Sequence, residues 1–231
     1  IIPLVNNLVK TGEKYMKKKL KVLGISVLSL ILVLIIGVGM IFKGEIRTLI
    51  SFKQLNEHPF YEMTYHADYN LDEFLINGAA TDDELVSFVT KQILKGVSFD
   101  VNPDGACSTF IATNLEDENL FGRNFDYVHS IGLIVRTQPK NGYKSISLVN
   151  LNHLGLSLEN MPTKNLINRI VTLAAPYAPL DGMNEKGLAI GVLVIQDGKV
   201  HQNTGKVPIT TTSAIRMVLD KAATVDEAIE L

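Results

Sequence analysis

From Val22 to Phe42 the chain places 21 residues, mostly Leu, Ile and Val, without one charge. An α-helix rises about 1.5 Å per residue, so this run predicts a helix about 31 Å long, matching a hydrocarbon core of about 30 Å. Core helices of soluble domains seldom run so far without a polar face. Lys43 to Ala80 is mixed in pattern, and then helical spacing returns. Leu85, Val86, Phe88, Val89, Ile93 and Leu94 follow Thr81-Asp82-Asp83-Glu84, a capping box with Thr81 as N-cap and Glu84 at N3, and Gly96 stops the run.

From Cys107 the texture shifts to short alternating strands. Cys107–Thr113 and Leu120–Asn124 predict a hairpin turning at Leu115–Asn119. Ile131–Thr137 and Tyr143–Asn150 predict a second one around Asn141-Gly142. Leu188–Ile195 reads as a buried strand between turns at Asn184–Gly187 and Asp197-Gly198-Lys199. Thr212–Ala222 and Thr224–Leu231 read as helices. Strands first and helices after predict a layered α+β domain.

The charges flanking the apolar run orient it. Lys17, Lys18, Lys19 and Lys21 precede it, which predicts a cytoplasmic N-terminal side and an extracytoplasmic remainder. A cleaved signal peptide carries a shorter apolar stretch and a small-x-small site, so an uncleaved single-pass anchor is expected. Met16-Lys17-Lys18-Lys19 is a bacterial type of opening, which divides the start into an upstream or cytoplasmic leader, 1–15, and a signal anchor, 16–42. The chain opens on Ile1 and closes on a helix in progress, and reads as a fragment. A net charge of −2 gives no electrostatic case for nucleic acid.

One cysteine cannot form an internal disulfide, and taken alone Cys107 reads as a small buried hydrophobe. Its surroundings change that. Arg123 and Asp126 follow it in Gly122-Arg123-Asn124-Phe125-Asp126, and a thiol, a guanidinium and a carboxylate together can make an activated nucleophile. Arg123 and Asp126 are three apart, so in an unbroken strand they face opposite sides. Both can face Cys107 only if the strand ends, twists sharply or bulges near Asn124–Phe125; the plainer reading is an exposed ion pair at a strand end. Phe125 and Tyr127 read equally as acyl-pocket lining or as core aromatics. The acidic run Asp82–Glu84 reads as favourable charge at a helix N-terminus rather than a metal site. His129 and His153 lack ligand-like spacing.

Cys107-Ser108-Thr109-Phe110-Ile111-Ala112 with Leu120–Tyr127, and downstream Asp181-Gly182-Met183-Asn184-Glu185-Lys186-Gly187-Leu188, resemble the choloylglycine hydrolase (linear amide C–N hydrolase) family. That family includes bile salt hydrolases, penicillin V acylases and acid-ceramidase-like amidases. The resemblance implies an N-terminal nucleophile hydrolase with a four-layer αββα sandwich, of which 107–231 would be the first part and 43–106 a pro-region. It implies cleavage between Ala106 and Cys107, freeing an α-amine that acts as base for the Cys107 thiol. Arg123 would favour the thiolate and Asp126 would hold the amine. The substrate implied is a small-molecule N-acyl amide, and the mechanism implied needs no metal or organic cofactor.

One departure stands out. Where many bile salt hydrolases place an oxyanion-hole asparagine, this chain has Val194, whose side chain cannot donate. The family's later asparagine and arginine would fall beyond Leu231, and a chain lacking them is expected to be inactive. Two alternatives remain: a membrane-anchored binding or sensing protein that keeps the fold without catalysis, and a structural protein whose only reaction is its own cleavage. The particular substrate, autocatalysis and assembly as a homo-oligomer stay open.

Overall fold

A computed structural model describes residues 2–101, 106–127, 130–194 and 204–231, in two compact units, 1–43 and 44–231. The first unit is formed by one helix, α1 (Ile2–Ile41). From Tyr15 to Ile41 it is long and apolar enough to cross a membrane. Leu28, Leu30, Leu32 and Leu34 stand exposed along it. The two serines in this stretch are satisfied within the helix: Ser26 donates to the Val22 carbonyl at 3.0 Å and Ser29 to the Ile25 carbonyl at 2.9 Å. Back-bonding of this kind is what an apolar medium demands of a serine.

The second unit is mixed α+β. In chain order it contains α2 (Lys43–Ser51), β1 (Lys53–Gln54), β2 (Phe60–Thr64), α3 (Leu71–Asn77), α4 (Asp82–Gln92), β3 (Ala106–Thr113), β4 (Asn119–Asp126), β5 (Gly132–Thr137) and β6 (Ser145–Asn150). After these come α5 (Leu166–Val171), β7 (Pro179–Asn184), β8 (Ala189–Gly191), α6 (Thr211–Lys221) and α7 (Val225–Glu230). Six strands form one sheet in the order β1-β2-β5-β6-β7-β8, while β3 and β4 form a separate hairpin. β2 and β5 are parallel, with Phe60 opposite Gly132; the other pairs are antiparallel.

Alternation decides what the sheet buries. Tyr61 and Met63 of β2, Leu133 and Val135 of β5, and Val149 of β6 are fully buried. Helices and 3-10 turns cover this side, with Phe74, Leu85, Val89 and Tyr177 completing the core. The mixed segment of the sequence is therefore part of the same sheet and core as the strands after Cys107. At the far end α6 lies close on β7, where Leu219 Cδ1 would be 2.8 Å from a Cβ placed on Gly182. Asp181, one residue earlier, points to the opposite side, and there the β3–β4 hairpin meets the sheet.

The capping box forms as expected, with the Thr81 hydroxyl accepting from the Glu84 amide at 3.2 Å. The Glu84 carboxylate reaches back to the Ala80 amide at 2.7 Å. The first hairpin turns over Asn114–Glu118, where Asn114 Oδ1 accepts from the amides of Glu116 and Glu118. The β5–β6 hairpin also forms, with a loop running from 138 to 144. Gly142 abuts α6 there: a Cβ would sit 2.7 Å from the Asp220 carbonyl oxygen.

The expected buried strand Leu188–Ile195 is corrected. Among the described residues β8 is an edge strand of three half-exposed residues, and Leu193 and Val194 beyond it are exposed; Ile195 lies outside the described residues. The expected turn at Asp197–Lys199, and His129, lie outside the described residues, as does Asn102–Gly105 ahead of Ala106.

Candidate active site

The β3–β4 register places Cys107 directly opposite Phe125, Thr109 opposite Arg123 and Ala106 opposite Asp126. Directly opposed residues of an antiparallel pair share a face. Cys107, Thr109, Arg123 and Phe125 therefore project to one side, and Ser108, Asn124 and Asp126 to the other. The inner face is half-buried while Ser108, Asn124 and Asp126 are exposed.

On the inner face Arg123 sits diagonal to Cys107, within reach of a long side chain. Its Nη2 donates to Cys107 Sγ at 2.9 Å and lies 3.4 Å from the Val192 carbonyl oxygen. Its Nη1 donates to Asp181 Oδ2 at 3.0 Å. The Arg123 side chain is 4% exposed and that of Asp181 16%. Burial pushes the Asp181 carboxyl above the usual aspartate range, and the Arg123 charge pulls it back in part. A buried cation is thus shared between a thiol and a carboxylate, an arrangement suited to stabilising a thiolate.

Aromatic rings flank the thiol. The Arg123 guanidinium lies 5.2 Å from the centroid of the Phe125 ring. Phe125 and Tyr127 stack at 5.6 Å and 9°, and His153 meets both edge-on. Buried His153 is thus part of the packing behind the site.

Of the residues singled out from the sequence, Cys107, Arg123 and Phe125 come together, with Tyr127 beside them. Asp126 does not join them. β4 runs regularly through Asp126, so the break that would turn its carboxylate toward Cys107 is absent. Its Oδ1 instead accepts from Asn124 Nδ2 at 2.5 Å on the outer face. Ala106 opens β3, so in the continuous chain the Cys107 nitrogen is a peptide amide within a strand.

Asp181 carried no role in the sequence reading, although it lies in the second family-like block. No spacing rule ties a residue of β7 to one of β4; the available signal was a carboxylate in a strand with few other charges. The rest of that block is structural. Asn184 Nδ2 donates to the carbonyls of Leu219 and Ala222, and its Oδ1 accepts from the amides of Lys186 and Leu188. This ties the β7–β8 turn to the end of α6.

Residues 107–231, more than half of the chain, match the family model described as linear amide C-N hydrolases, choloylglycine hydrolase family. No curated protein and no solved structure matches the chain.

Proposed function

The chain belongs to the choloylglycine hydrolase family of linear amide C-N hydrolases, and on that premise we propose that it is an amidase precursor whose nucleophile is the Cys107 thiol. Membership supports amide hydrolysis in general; the assignment of roles is the proposal. The observation that carries it is the 2.9 Å contact from Arg123 Nη2 to Cys107 Sγ on a buried guanidinium.

In this reading the peptide bond between Ala106 and Cys107 is cleaved, and the new α-amine becomes the base. An α-amine has a reference pKa of about 7.7–8.0, which leaves a neutral fraction near pH 7. It takes the thiol proton as sulfur attacks the substrate carbonyl, and returns that proton to the leaving amine as the C–N bond breaks. Water then hydrolyses the thioester, releasing the acid and restoring the thiol. Arg123 stabilises the thiolate. Asp126, paired through its backbone with Ala106, is near enough in the register to hold the amine once cleavage frees the start of β3. That requires its carboxylate to leave Asn124 and the end of β4 to turn it toward the face that carries Cys107. Phe125 and Tyr127 line the acyl side.

The same proposal takes 1–15 as a leader, 16–42 as a membrane anchor, 43–106 as a pro-region and 107–231 as the start of an αββα hydrolase domain held outside the cytoplasm. The apolar helix from Tyr15 to Ile41 supports the anchor. A substrate with a lipid-like acyl chain follows from that location.

The test is N-terminal sequencing of the mature product of the complete gene, beside Cys107→Ala, followed by assays on N-acyl amides. A new N-terminus at Cys107, absent from the variant, together with turnover is the expected result. An intact chain in both would leave the thiol without its amine and favour a silent binding protein of the same fold.

A further inference from the structure

A guanidinium on a long side chain stabilises a thiolate only if it is held in place, because four rotatable bonds otherwise spread its charge over many positions. Arg123 reaches Cys107 from a two-stranded hairpin whose outer face is open to solvent. Within that hairpin, apart from Cys107 itself, the Phe125 ring lies 5.2 Å from the guanidinium. The polar support comes from the other sheet, where Asp181 of β7 accepts from Nη1 and the Val192 carbonyl faces Nη2. The neighbouring strand runs alongside this crossing. Gly191 pairs with Asp181, and a Cβ there would stand 3.6 Å from Arg123 Cδ and 3.2 Å from the Phe121 ring.

Asp181 is itself an expensive residue to keep. Its carboxylate is largely buried, and Arg123 is its hydrogen-bonding cation. A buried ion pair adds little to stability compared with apolar packing of the same shape, so its use lies in fixing geometry.

The geometry points to Asp181 as the positioning residue for Arg123: by holding Nη1 it aims Nη2 at the Cys107 sulfur. This rests on the reading of Cys107 as nucleophile. Two effects of removing the carboxylate can be told apart by sign. Loss of a bare negative charge near the sulfur would make the thiolate easier to form. Release of the guanidinium from its aim makes it harder. The positioning role requires the second.

The measurement is the rate of iodoacetamide alkylation of Cys107 against pH in the full-length protein, for wild type, Asp181→Asn and Asp181→Glu. Each N-terminus is sequenced so that like states are compared. Asp181→Asn is expected to slow alkylation at pH 7 by about tenfold and to move the titration midpoint up by about one unit. Asp181→Glu, which keeps the charge, recovers most of that loss. In an Arg123→Met background Asp181→Asn adds nothing further. A midpoint that stays in place or falls in Asp181→Asn overturns the inference; if that variant does not fold, Asp181→Ser takes its place under the same criterion. The assay reads the thiol rather than turnover. Wild type that alkylates normally but cleaves no N-acyl amide would sink the nucleophile reading and leave the positioning result standing.

Discussion

The Tyr69 hydroxyl donates to Oδ2 of Asp220 at 2.5 Å, joining a residue ahead of Cys107 to one in α6. Arg216 donates from Nη2 to both Asp220 Oδ1 and Ser145 Oγ, so the network is buried and shared by both sides of the proposed cleavage point. Tyr65 and Tyr177 add bonds to the Leu173 and Tyr69 carbonyls at 2.9 Å and 2.6 Å.

Cleavage between Ala106 and Cys107 is therefore expected to leave the two pieces associated. β2 stays paired with β5, and Tyr61, Met63 and Phe74 stay in the common core. Size-exclusion chromatography of processed protein should show one species that resolves into two bands only in denaturant. Loss of the N-terminal piece on the column would contradict this.

Arg123→Lys keeps a positive charge but cannot span Cys107, Asp181 and the Val192 carbonyl at once. If the proposed chemistry holds, kcat/KM on an N-acyl amide should fall by about 10²–10³, the loss typical of one electrostatic donor at a reacting centre. A loss below about threefold would remove Arg123 from the chemistry.

Two glycines of the hydrolase half should respond differently to alanine. At Gly182 a Cβ meets the Ile146 carbonyl oxygen at 2.6 Å and Leu219 at 2.8 Å, so backbone or helix must move. Gly182→Ala is expected to cost about 1–3 kcal/mol. At Gly122 the obstacle is the exposed Phe110 ring, which can swing aside. Thermal melts should show a clear drop for Gly182→Ala and a much smaller one for Gly122→Ala.

Burial pushes the Asp220 carboxyl up, and Arg216 and the Tyr69 hydroxyl draw it back only in part. The folded chain thus holds this proton at a higher pH than the unfolded chain. The stability it contributes is complete below the unfolded value of about 3.9 and lost as pH rises through the folded value. Glu62 and Asp72, at the surface beside lysines, act in the opposite sense. The comparison to make is therefore wild type against Asp220→Asn. Between pH 7 and 4 the melting temperature of wild type should gain on that of the variant as pH falls. A constant difference would show that Asp220 does not titrate in this window.

What could be read from the sequence was local. Thr81 and Glu84 stand three apart and cap α4 with no help from the rest of the fold. Alternation in Cys107–Thr113 is likewise carried within one hairpin, although the turn is built on Asn114, one residue before the expected Leu115–Asn119. β2 went unread although Tyr61 and Met63 alternate with Glu62 and Thr64: the run is only five residues long, and its partner β5 lies far along the chain. β8 was overestimated because an apolar run looks the same at an edge as in the middle of a sheet. The pairing of Arg123 with Asp181 joins two sheets, and nothing in either strand announces the other.

The parallel pairing of β2 with β5 carries a kinetic consequence. Position 60 meets position 132, and the whole β3–β4 hairpin is synthesised between them. An early strand must wait for a late one, with Tyr61 and Met63 exposed meanwhile. Closing so long a loop before any contact rewards it makes this step the slow one of folding, and makes β2 the segment most in need of protection from aggregation as the chain emerges. Stopped-flow refolding should show it directly: Met63→Ala would slow folding if β2 docks in the transition state, and would only speed unfolding if it docks afterwards.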